Sequence, residues 1–132
     1  MDRNHERAWW GLSAGATLVF GLACAAQFND PDPLGWIGMY GAAAALSAVG
    51  ALRPVRLLAG GLLAVCVVWL GVLFWNGLPA EPQPMKYGPQ SGWLADEVVR
   101  EGGGLLLVGA WMAVLSLRGR KPRIESQLRS DV

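Results

Sequence analysis

The sequence predicts an all-α integral membrane bundle of four transmembrane helices, and the distribution of charge carries that prediction. The chain has 132 residues, 53% of them hydrophobic and 16% charged, figures that a soluble domain could share. The charges, however, are excluded from four runs, Ala8 to Asn29, Pro33 to Leu52, Leu57 to Ala80 and Gly102 to Leu117, of 22, 20, 24 and 16 residues. A helix rising about 1.5 Å per residue needs roughly 20 apolar residues to cross a hydrocarbon core of about 30 Å. The first three runs suffice. The fourth is completed on its N-terminal side by Val98, Val99, Arg100 and Glu101, which places an ion pair near the membrane boundary. No stretch alternates as barrel strands do, and backbone amides in lipid must bond within their own segment, so helices are the remaining solution.

The predicted helices run over about 8–28, 34–52, 57–77 and 93–117, a four-helix transmembrane domain within residues 1–117. A basic tail, 118–132, follows; it is expected to be disordered and to lie against anionic lipid at its start. The first outer turn is short, Arg53-Pro54-Val55-Arg56 is a tight inner turn that makes helices 2 and 3 an antiparallel hairpin, and helices 3 and 4 are joined by a longer Pro-rich outer loop holding Pro79, Pro82, Pro84 and Pro89. Nine Lys and Arg residues fall on the side of the termini and only Lys86 and Arg100 on the other. That bias predicts both termini in the cytoplasm, in the cell (inner) membrane. Nine basic and four acidic residues leave +5 inside, and two against six leave −4 outside. This asymmetry gives no footprint for nucleic acid. At Ala23-Cys24-Ala25 a signal-peptide cleavage site is the rival reading, but the apolar region is longer than such signals and Asp2 and Glu6 precede it.

Trp9, Trp10, Trp36, Trp75 and Trp93 fall at predicted span ends and read as interfacial anchors. Gly11 with Gly15, Gly38 with Ala42 and Gly41 with Ala45 repeat a GxxxG-like spacing, read first as packing within the bundle and second as a face for a membrane-protein partner or a homo-oligomer. Cys24 and Cys66 lie at depths that differ by roughly 12 Å, beyond disulfide reach, and both are expected to be small core residues. The single histidine, His5, sits before the first span, so haem, di-iron and buried zinc chemistry would lack imidazole. No GxSxG, HExxH or P-loop occurs, and Gly102-Gly103-Gly104 inside a span reads as close packing or a flexible point. The expectation is a protein that is not an enzyme.

Two acidic motifs remain, both on the outer side. In Asn29-Asp30-Pro31-Asp32-Pro33, Asn29 or Asp30 closes a turn and Asp32 caps helix 2 with Pro33 in its first position. On helix 4, Glu97, Arg100 and Glu101 fall within one 100° arc with Gly104 and Val108, the face read as interior. Asn29, Asp30, Asp32, Glu97, Arg100 and Glu101 are therefore the candidate ligand-binding residues, and the carboxylates of Asp30, Asp32, Glu97 and Glu101 the candidate metal ligands. Four carboxylates balanced by one arginine form an oxygen-rich, net negative set, which admits one cofactor, a divalent cation such as Ca²⁺. The alternatives are a structural clasp between Arg100 and a carboxylate, a lipid-modifying enzyme at the outer interface, and a partner-binding scaffold.

These residues resemble the transmembrane protein 220 family. Asn29-Asp30-Pro31-Asp32 followed by Trp36 and Tyr40 looks like its first outer turn, and Glu97, Arg100-Glu101, Leu105 and Ala110-Trp111 look like its last span. The resemblance implies a small four-helix membrane protein of no established biochemical activity, and it implies that the two acidic motifs belong to one pattern.

Overall fold

A computed structural model describes residues 2–29, 33–76 and 97–118, with Glu97 and Val98 described by backbone alone. Four helices carry the fold: α1 (Arg3–Ala26), continued by a 3₁₀ turn over Gln27–Asn29, α2 (Leu34–Leu52), α3 (Arg56–Trp75) and α4 (Glu97–Leu117). All four are long and apolar enough to cross a membrane. The protein is a small multi-pass membrane protein. Its large apolar side chains point outward along the spans, Leu57 being 92% and Trp75 91% exposed, as a surface in contact with lipid requires.

The start of α1 differs from the sequence reading for a physical reason. α1 begins at Arg3 rather than near residue 8, with the Asp2 carbonyl accepting the amides of His5 at 2.9 Å and Glu6 at 3.2 Å. Charge marks where a span leaves hydrocarbon, whereas backbone bonding continues into the polar flank. At α2, Pro33 has helical dihedrals, φ −82° and ψ −23°, and its carbonyl accepts the Ile37 amide at 2.8 Å, so it opens the helix as expected. The capping role assigned to Asp32 falls outside the described residues, as do Asp30, Trp93, the Pro-rich loop and the tail beyond Arg118.

The helices associate as two close pairs, α1 with α2 and α3 with α4, while α2 meets α3 and α4 more sparsely. The short 53–56 turn joins α2 to α3, which meet through Trp36 with Trp69 and Met39 with Cys66, but each makes its closer approach to another neighbour. Glycine explains the choice. A Cβ on Gly41 would stand 3.7 Å from the Cys24 sulfur of α1, and one on Gly109 would stand 3.7 Å from both Cys66 and Leu63 of α3. Small residues let backbones approach where lipid removes the hydrophobic drive between helices. Between the pairs stand Trp36 against Trp69 and Met39 against Cys66, which join α2 to α3.

The core is drawn largely from α4, whose Leu105, Val108, Met112 and Leu115 are at most 1% exposed and recur at spacings of three and four. Phe20 of α1, Met39 and Ala43 of α2 and Ala59 and Cys66 of α3 complete it. Both cysteines are free thiols: Cys24 donates to the Ile37 carbonyl at 3.5 Å and Cys66 to the Met39 sulfur at 3.6 Å. Gly11 and Gly15 do not pack within the bundle, having no atom within 4 Å of a Cβ placed on either.

Candidate functional site

At the end of the bundle opposite the N-terminus, Asn29 closes the 3₁₀ turn and is exposed, and Arg100 is exposed on the first turn of α4. The interior face predicted for helix 4 therefore holds for Glu101, Gly104 and Val108 and is corrected for Arg100, because the buried stripe of Leu105, Val108 and Met112 is centred to one side of the predicted arc, away from Arg100, and a long guanidinium side chain reaches outward. Glu101 is half-buried. It continues the buried line of Leu105, Val108 and Met112 to the membrane boundary, since the span itself begins at Val99.

Below Glu101 lies an aromatic column that sequence reasoning had split between anchors and motif. The Tyr40 hydroxyl rests against Gly104, whose missing side chain makes the space it occupies. Glu101 stands one turn of α4 beyond Gly104, toward the end of the span. Tyr40 stacks on Trp36 at 5.8 Å and on Phe20 at 6.5 Å, and Trp36 tilts against Trp69 at 4.7 Å. Trp36 is 9% exposed, so it is a core residue and not the interfacial anchor expected from its position. Gly35 precedes it, and a Cβ there would stand 3.1 Å from the Trp69 ring, so the missing side chain admits that ring beside α2.

The arrangement joins the second half of the first motif, Trp36 and Tyr40, to the second motif, Glu101 and Gly104. Asp30 and Asp32 lie outside the described residues, and so does the Glu97 side chain. Among the described residues no cluster of three His, Cys, Asp or Glu side chains is assembled. What Glu101 above Tyr40 offers is one carboxylate at the rim of an aromatic floor, a combination suited to cations, which both groups attract.

A second constellation, at the end of the bundle that holds the N-terminus, was not assembled from the sequence. The Gly50 carbonyl would accept the amide N–H of residue 54 in a continuing helix, but that residue is proline and has no N–H. Trp9 Nε1 donates to this carbonyl at 3.1 Å and Arg118 Nη1 at 3.2 Å, tying α1 and the end of α4 to the end of α2. The Arg118 guanidinium also lies 3.7 Å from the Trp9 ring centroid, and Trp9 stacks on Trp111 at 5.7 Å. Burial pulls the Arg118 pKa down and Glu6 opposes it. Trp111 in turn donates to Ser47 Oγ at 2.8 Å, and Ser47 donates to the Ala43 carbonyl at 2.6 Å. The available signal was Pro54, four residues beyond a glycine that ends a span.

A family model described as "Transmembrane family 220, helix" matches residues 19–117. The chain belongs to this family. Its match takes in the end of α1, all of α2 to α4 and both acidic motifs, so Glu101 and the Trp36 and Tyr40 pair lie inside the shared region. No solved structure matches the chain.

Proposed function

We infer that the outer polar cluster of this family member holds a cation or a small cationic ligand, and that the protein is not catalytic. The observation that carries the reading is the placement of Glu101: a carboxylate half-buried at the end of an interior stripe, one turn of α4 beyond Gly104, against which Tyr40 and Trp36 pack. Ionisable groups at membrane depth that face a bundle interior pair or serve a function, and a carboxylate next to aromatic rings favours positive charge. In this reading Asn29, Asp30, Asp32 and Glu97 add oxygen donors, Arg100 limits the net charge, and the lipid bilayer is the protein's environment in the cell (inner) membrane with both termini in the cytoplasm. The test is isothermal titration calorimetry of the full chain in mild detergent with Ca²⁺, Mg²⁺ and tetramethylammonium. Saturable heat with one of these, absent in Glu101→Gln, is expected. Silence with all three would overturn the reading.

The partner-binding alternative has one observation in its favour, the outward Gly11 and Gly15 face of α1. A monomer in mild detergent without a co-purifying protein would count against it.

A further inference from the structure

The inner end carries a charged cleft that neither the outer cluster nor the Gly50 clasp uses. Arg53, Arg56, Leu57, Leu58, Gly60 and Ser116 line a space of about 760 Å³ between the 53–56 turn and the end of α4, a size in the range of small-molecule sites. We propose that this cleft binds an anionic phospholipid from the leaflet facing the 53–56 turn, its phosphate held by Arg53 and Arg56.

Charge is the first argument. Both guanidinium groups are exposed, three residues apart, and neither has an ion-pair partner among the described residues. Arg118 at the same end is, by contrast, engaged with the Gly50 carbonyl and Trp9. Guanidinium presents a planar fork of donors that matches phosphate oxygens. Geometry of the turn is the second. Arg53 is extended, φ −150° and ψ 156°, as a residue before proline must be, while Arg56 is the first residue of α3. Val55 is 6% exposed and its carbonyl accepts the Ala59 amide at 2.9 Å, which roots the turn in the core and fixes the arginines on either side of it. No side chain caps α3, so its N-terminal dipole adds to the positive field.

Depth is the third argument and selects a lipid over a free anion. The arginines flank Leu52 and Leu57, where spans end and headgroups lie. One or two residues deeper, Leu57 and Leu58 are 92% and 66% exposed, an apolar wall in contact with acyl chains. Gly60 has open space where a side chain would stand, which continues the cleft as a groove along α3. Polar lining at headgroup level and apolar lining below it reproduce the order of a phospholipid.

The test is native mass spectrometry of the full chain in neutral detergent, titrated with phosphatidylglycerol, phosphatidylcholine or inorganic phosphate. Each basic residue at a membrane surface contributes about fivefold to anionic-lipid affinity, so Arg53→Gln with Arg56→Gln should weaken the apparent Kd for phosphatidylglycerol about thirtyfold and leave phosphatidylcholine unchanged. Gly60→Leu, which keeps both charges and fills the groove, should also weaken phosphatidylglycerol. Equal phosphatidylglycerol binding by wild type and the double variant would overturn the proposal. So would displacement of the lipid by equimolar inorganic phosphate, or a loss that instead follows Arg120→Gln with Lys121→Gln and Arg123→Gln in the tail.

Discussion

Two serines and two glycines show how much a single position depends on what surrounds it. Ser47 and Ser13 are both fully buried, but Ser47 accepts the Trp111 indole whereas the Ser13 hydroxyl has no partner among the described residues. Ser47→Ala strands a buried N–H and should cost about 1–3 kcal/mol in detergent unfolding, while Ser13→Ala removes an unsatisfied group and should cost nothing measurable. Gly104 and Gly103 are neighbours in one helix, yet only Gly104 has Tyr40 in the place of its side chain. Gly104→Ala should therefore destabilise by about 1–3 kcal/mol through forced displacement of Tyr40. Gly103→Ala should be neutral or stabilise by up to about 1 kcal/mol, by helix propensity. The sequence shows three glycines in a row and a reading of close packing that holds at Gly102, which faces Leu70, and Gly104. Which of the three stands open is decided by α2 and α3, not by the motif.

At the scale of elements, the ends of helices carry the information that periodicity omits. Four spans were legible because charge is expensive in hydrocarbon and is therefore excluded from it, and of α4's buried line Val108 was legible from the face it shares with Glu101. The pairing of α1 with α2 and α3 with α4 was not, because it turns on which glycine faces which neighbour. Trp36 likewise reads as an anchor until Gly35 admits Trp69 beside it. The Gly50 clasp is tertiary: Pro54 announces an orphan carbonyl, but only the fold says that Trp9 and Arg118 meet it. Since two donors share one acceptor, either alone keeps it satisfied. Trp9→Phe and Arg118→Gln should each cost about 0.5–1 kcal/mol, and the double variant should exceed their sum by about 1 kcal/mol. Strict additivity would show that the shared carbonyl does not couple α1 to α4.

For the molecule as a whole, charge asymmetry and membrane depth set the functional reading. The nine basic residues on the side of the termini predict that a single cysteine at Ser126, in a chain with Cys24 and Cys66 replaced by alanine, reacts with a membrane-impermeant maleimide only after permeabilisation. Reaction in intact cells would invert the topology and turn the outer cluster inward. How far the outer site was readable follows from the same depth argument: Glu101 emerged from its face on helix 4, whereas its aromatic floor required α2 to be placed against α4. The claim that this site holds a cation is tested most directly by thermal unfolding of wild type and Glu101→Gln, first in chelator and then in Ca²⁺ or tetramethylammonium. Binding to the folded state predicts a gain of about 2.7 kcal/mol for wild type at a hundredfold excess over Kd, with no gain in Glu101→Gln. A variant destabilised equally in every medium, beside a wild type indifferent to cations, would make Glu101 a structural clasp and contradict the account.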